Sequence, residues 1–264
     1  MQVVSLSADV VVARSQFWQT TCTLVHRDAG DDGECFVIDS PVLPDELDAL
    51  PTILAQAGWS LSGLLCTHGD WDHLLARFAF PDAVLGAAET TAARLRAAPG
   101  EAQRDLRAFD DEHYVQRARP LALGQVQALG VPGVVEIGDV EIELLPADGH
   151  TQDGMALWLG WTGVLVCGDY LSPVEIPWLS EHGSRHAYLA TLARLRPYVE
   201  RADWVVPGHG VAIDAQRALA ILGEDEAYLR ALPDPAAPLP LARRGPAQQA
   251  IHAENLTRMG GAGA

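Results

Sequence analysis

Lysine is absent from this 264-residue chain: all 18 basic side chains are arginine, set against 35 acidic ones, for a formal net charge of −17. That balance lacks the clustered positive charge of a nucleic-acid footprint and disfavours any large polyanionic partner. A small anionic substrate remains open, because a bound metal supplies local positive charge. Paired cysteines are missing as well. Cys22, Cys35, Cys66 and Cys167 show no Cys-x-x-Cys spacing, and each lies inside an apolar run. They are expected to be buried, reduced thiols, neither disulfides nor metal ligands, which points to the cytoplasm. No stretch approaches the roughly 18 uninterrupted apolar residues of a membrane span. Residues 1–9 hold neither a basic cluster nor the long apolar run of an export signal. No membrane partner is expected.

What is present is an ample core, with 48% apolar residues and no internal repeat, within the range of one large layered α/β unit. The first third reads as strands at 3–6, 10–13, 20–26 and 34–39, the last two joined by a glycine- and aspartate-rich turn at 28–33. Pro44 opens a helix with acids in its first turn, and Gly58 stops it. Strands follow at 61–67 and 83–87, then an arginine- and glutamate-bearing helical stretch over 89–114. Strand character returns at 134–137, 140–145, 155–161, 164–167 and 202–206, with helices at 184–200 and 215–232. The domain reading is therefore one body over 1–232, with 88–125 as a helical insertion packing over the cleft. Residues 233–264 form a proline-rich linker, a short C-terminal helix and a flexible end; Arg243 and Arg244 are read as solvated linker residues.

The remaining chemistry is organised around Thr67-His68-Gly69-Asp70-Trp71-Asp72-His73, which follows the apolar run 61–67. Four metal-ligating side chains within six residues at the carboxyl end of a strand face the place where α/β folds bind ligands. Three further strands end alike, in Gly149-His150-Thr151, Gly168-Asp169-Tyr170 and Pro207-Gly208-His209-Gly210. Together, His68, Asp70, Asp72, His73, His150, Asp169 and His209 are enough for two metals sharing a bridge. Imidazole with carboxylate suits zinc, iron or manganese better than calcium or magnesium.

This ordered set resembles the motifs of the metallo-β-lactamase-fold hydrolases, in the family's order over about residues 3–215. The resemblance implies a four-layer αββα sandwich with a dinuclear site at one edge of its two sheets. It implies that His68, Asp70 and His150 bind the first metal, that Asp72, His73 and His209 bind the second, and that Asp169 bridges them. The glyoxalase II-like and lactonase-like branches use such a set for hydrolysis. One departure matters: the family has histidine where this chain has Asp70. Two divalent ions bring four positive charges and the three aspartates remove three; a hydroxide between the ions then leaves the centre neutral. Lower Lewis acidity and a leaning towards iron or manganese are expected, although zinc remains the first choice. Flavodiiron proteins resemble this loop in carrying a carboxylate there, but no flavodoxin-like segment is present.

The function expected is a dinuclear metallo-hydrolase that turns a metal-bridging water on a small ester, thioester, lactone or phosphoester. The alternatives are a di-iron oxidoreductase and a non-catalytic metal-binding scaffold. Asp72 is the candidate to orient the water or accept its proton. Tyr170 is a candidate to hydrogen-bond a substrate oxygen, with packing as its other role. His113, His182 and His186 are entrance candidates, and 172–185 with Trp178 would shape the pocket. A small-molecule substrate is the expected partner, and a homodimer is compatible with this reading.

Overall fold

A computed structural model describes residues 1–28, 33–232 and 234–261. The hairpin turn expected at 28–33 and the flexible end expected at 260–264 lie largely outside the described residues.

Seven strands form the first sheet in chain order: β1 (Gln2–Ser5), β2 (Val10–Arg14), β3 (Thr21–Arg27), β4 (Glu34–Asp39), β5 (Leu61–Leu65), β6 (Leu85–Ala88) and β7 (Val126–Leu129). The first four pair antiparallel and the remainder parallel. The second sheet runs β12 (Trp204–Val206), β11 (Val164–Val166), β10 (Met155–Leu159), β9 (Val140–Pro146) and β8 (Gly133–Ile137). β7 went unforeseen: Val-Gln-Ala-Leu carries little strand signal, and its pairing with β6 makes it a strand.

The period-two alternation of side chains sorts them into layers. Val10, Val12, Val25, Ile38 and Leu65 turn inward against Ile142, Leu144, Met155, Leu157, Val164 and Val166 of the second sheet. Their strand neighbours Leu24, Val37 and Leu64 face outward onto Leu47, Leu50 and Leu54 of helix α1 (Pro44–Ala57). On the far side, Ala156, Trp158 and Leu165 meet Leu192, Leu195, Ile221 and Leu222 from two further helices. The result is helix, sheet, sheet, helix.

Helix boundaries follow local chemistry. In α1, Pro44 opens the first turn, Glu46 accepts from the Leu43 N–H at 3.2 Å, and Gly58 at φ 73° closes it with left-handed backbone. The segment after the ligand loop forms only the short α2 (Ala76–Ala79). The expected insertion is the crossover between parallel β6 and β7, carried by α3 (Glu89–Ala97) and α4 (Glu101–His113). α5 (Arg185–Val199) and α6 (Ala215–Ala231) complete the outer layer, capped by Ser184 and Asp214.

The C-terminal α7 (Pro246–Gly261) packs Ile251, Leu256 and Met259 onto the core beneath α5 and α6. Here the sequence reading is corrected: Arg243 is no solvated linker residue. It is 1% exposed, 2.6 Å from Asp225 and 2.8 Å from Glu224, and it donates to the carbonyls of Ser172 and Glu175. A guanidinium with five donors fits an acidic pocket between helices better than it fits a loop. Arg244 remains exposed.

Candidate metal centre

The ligand-bearing loops leave β5, β9, β11 and β12 at their carboxyl ends, along one edge of both sheets. Backbone bonds lace these loops together. The Met155 N–H donates to the Thr67 carbonyl at 2.7 Å, Gly208 to Gly168 at 2.6 Å, and Thr21 to Gly208 at 2.8 Å. A single turn of 3-10 helix, Trp71–His73, sets Asp72 and His73 beside each other, both buried.

All seven expected ligands converge. His68, Asp70 and His150 form one group: Asp70 Oδ2 lies 3.6 Å from His68 Nε2 and 3.4 Å from His150 Nε2. Asp72, His73 and His209 form a second, with Asp72 Oδ2 at 3.6 Å from His73 Nε2 and 3.5 Å from His209 Nε2. Asp169 stands between them. Its Oδ2 is 3.3 Å from His150 Nε2 and 3.4 Å from His209 Nε2, and its Oδ1 is 3.2 Å from His73 Nε2.

The outer nitrogens fix how these rings are protonated. His150 Nδ1 lies 2.9 Å from the Trp178 carbonyl and His209 Nδ1 lies 3.1 Å from the Trp18 carbonyl. Carbonyl oxygens only accept, so each Nδ1 carries a hydrogen, and a ring that gives up its other proton presents a bare Nε2 inward. His73 Nδ1 lies 3.0 Å from Asp39 Oδ2. Thr67 gives its hydroxyl hydrogen to Asp39, so His68 Nδ1, 3.1 Å from that hydroxyl, is the donor there too. The Nε2 atoms of His68, His73 and His150 and Oδ1 of Asp169 are buried with no hydrogen-bond partner. Inward lone pairs left unpartnered are costly unless a cation meets them, so the donor set fits a pair of divalent ions.

The electrostatics agree. Burial opposes ionisation of Asp70 and Asp169, yet the surrounding imidazoles hold both carboxyls well below the usual range. Burial likewise opposes charge on the histidines and is outweighed by the carboxylates. Asp169 and Asp70 push His150 up to about 9, Glu175 and Asp169 push His209 up to about 10, and Asp72, Asp39 and Asp169 raise His73 well above 6.5. Without metal the cluster stores protons that an incoming cation must displace.

Other expected residues are placed less centrally. The Tyr170 hydroxyl accepts from the His150 N–H at 3.1 Å and donates to the Ala147 carbonyl at 3.3 Å, with the ring 2% exposed. That geometry suits packing behind His150. His113, His182 and His186 are all exposed, and the His113 ring packs 4.6 Å from Phe17 and Phe109. The Trp178 ring lies 5.4 Å from His150.

Four contributors escaped the sequence reading. Asp39, at φ 59°, ends β4, accepts from the Thr67 N–H at 2.7 Å and sets Oδ2 3.0 Å from His73 Nδ1. Its position at a strand end was the available signal. Glu175 offers an oxygen within 4.8 Å of ligand atoms on Asp169 and His209. Arg94 and Asp153 flank Asp70, with Arg94 Nη1 2.8 Å from Asp70 Oδ1 and 3.0 Å from Asp153 Oδ1. None of these three lies in a recognisable motif.

Solved structures share this architecture. A metallo-beta-lactamase family protein from Thermus thermophilus has the same fold at a TM-score of 0.66 and 21% identity, covering 97% of this chain and 95% of the other. A beta-lactamase domain protein from Burkholderia ambifaria gives 0.63 at 18% identity, over 97% and 86% of the two chains. A metallo-beta-lactamase from Pontibacter korlensis gives 0.59 at 17% identity, over 84% and 98%. No curated protein matches the chain. Residues 16–209 match the metallo-beta-lactamase superfamily, well over half the sequence and every residue of the cluster. The chain belongs to the metallo-beta-lactamase superfamily.

Proposed function

We propose that this protein is a dinuclear metal-dependent hydrolase of a small ester, thioester, lactone or phosphoester. The observation that carries the reading is the inward-facing, unpartnered set of Nε2 atoms closed by the shared carboxylate of Asp169. His68, Asp70 and His150 would hold one ion, Asp72, His73 and His209 the other, and Asp169 stands between the two groups. When bound, such a pair supplies Lewis acidity and an acidified water as nucleophile.

The chain's own groups do the remainder. Asp39, Thr67 and the carbonyls of Trp18 and Trp178 lock the ring orientations, so no reorganisation is needed as charge develops. Asp72 is buried beside both His73 and His209, a position that suits orienting a nucleophile and taking up its proton. Trp71 leaves the ligand loop to pack tilted against Trp18 at 5.6 Å and Phe109 at 4.8 Å, an aromatic flank favouring a substrate with an apolar group.

One observation favours the di-iron reading as a second. Glu175 adds a fourth carboxylate to Asp70, Asp72 and Asp169, and oxygen-rich sites lean towards iron or manganese. Metal analysis followed by a panel of ester, thioester, lactone and phosphodiester substrates tests both. Hydrolysis abolished by a chelator and restored by zinc or manganese is expected. Oxygen consumption with a reductant by an iron-loaded protein inert to every substrate would replace the first reading with the second.

A further inference from the structure

The charge deficit expected from Asp70 has an answer elsewhere in the chain, and it lies on α3. Asp70 uses its two oxygens differently: Oδ2 turns to His68 and His150, while Oδ1 meets Arg94 Nη1 at 2.8 Å. Arg94 is itself held. Its Nη1 lies 3.0 Å from Asp153 Oδ1 and its Nη2 lies 3.4 Å from Glu101 Oε1, with the side chain 15% exposed. Asp153 is fully buried and is tied by the Gly69 N–H at 3.0 Å and the Thr91 hydroxyl at 2.7 Å. The anchor of Arg94 is thus bonded to the residue preceding Asp70, so guanidinium and carboxylate move as one unit.

We propose that Arg94 is a positioning residue that makes an aspartate workable at position 70, offsetting its charge and leaving only Oδ2 to face the first metal position. This rests on the metal-centre reading above. A bare carboxylate there would lower the charge of the centre by one and be free to turn both oxygens inward. With Arg94 attached, Asp70 presents one donor atom, and its charge is offset by a guanidinium that it shares with Asp153 and Glu101. Both terminal nitrogens of Arg94 are committed to carboxylates, which separates this role from capture of an anionic substrate.

The test is a double-mutant cycle read by stepwise zinc and manganese affinity in chelator competition, with unfolding of the metal-free protein as the fold control. R94M leaves an uncancelled carboxylate and is expected to bind the first ion about tenfold tighter or more. D70H removes one carboxylate while Arg94 keeps Asp153 and Glu101, raises the local charge by one and is expected to bind it about tenfold weaker or more. In D70H/R94M the charges balance again, and affinity is expected to return to within about threefold of the parent. R94K keeps the charge and is expected to match the parent. Where R94M does not fold, R94Q carries the same expectation. A double variant binding no tighter than D70H, or an R94M that loses metal while R94K keeps it, would overturn the proposal. A parent protein that binds no divalent ion would instead overturn the metal-centre reading itself.

Discussion

Gly208 has no room for a side chain. A β-carbon there would lie 2.1 Å from Asp169 Oδ1 and 3.0 Å from His73 Cε1, so the turn after β12 can press against the Asp169 carboxylate only as glycine. G208A is expected to displace Asp169 and lose at least one metal equivalent, measured by metal analysis of purified protein. Asp169→Ala is expected to lose metal and hydrolysis together; full metal content in that variant would refute the bridging role. The proton store gives a third expectation. At pH 8 His150, at about 9, and His209, at about 10, are protonated in the metal-free protein. Zinc binding at pH 8 should therefore release protons into a weakly buffered indicator, and far fewer should be released above pH 10. At this scale much was legible, because His68, Asp72, His150, Asp169 and His209 each follow an apolar run that can only be a strand. Arg94 and Asp153 were not, since their partners lie far away in sequence and a lone arginine on a helix reads as a solvated face.

Among the elements, the loop after β11 and the C-terminal helix act as a pair. Arg243 holds the carbonyls of Ser172 and Glu175, and Gln248 holds that of Val174. Asn255 bonds Pro177 and the Leu179 N–H, and Glu254 takes the Trp178 indole. The Trp178 carbonyl in turn fixes His150, so α7 reaches the metal centre through one intervening loop. R243M strands the buried Asp225, while Glu224 keeps Arg217, and is expected to cost about 3 kcal/mol or more in denaturant unfolding. N255A leaves a buried N–H unpaired and is expected to cost about 1–3 kcal/mol and to weaken metal binding as well. Helix starts and stops were legible from Pro44, Gly58 and Ser184, where local chemistry decides. The tail's docking was not: an Arg-Arg pair amid prolines and glycines carries no sign of the acidic pocket that α6 supplies.

Across the whole molecule, the centre couples the two sheets. His68 and His73 come from the first, His150, Asp169 and His209 from the second, and metal-free the side chains meet as ion pairs, His73 with Asp169 at 3.2 Å across the two. Because His73, His150 and His209 are raised from 6.5 on folding, their contribution is fully present below that pH and fades as pH rises through about 9 and 10. Chelator-treated protein is therefore expected to melt roughly 5 °C or more lower at pH 10 than at pH 6. In H209Q the slope should shrink, whereas metal-loaded protein should lack the loss, because cations replace protons as the glue; scanning calorimetry measures all three. Among the described residues no helix is long and apolar enough to cross a membrane, and Cys22, Cys35, Cys66 and Cys167 are free and buried.

The sequence alone determined most of the strands along the chain and the ligand-bearing loops, since hydrophobic periodicity and strand-end chemistry are local properties, while the layered class followed from the resemblance of its motifs. Only the tertiary structure decided which side chains meet across those loops. It placed Asp39 behind His73, Arg94 beside Asp70 and α7 beneath the loop of Trp178. Ion pairs and buried hydrogen bonds depend on distances between segments, and packing of the whole chain sets those distances.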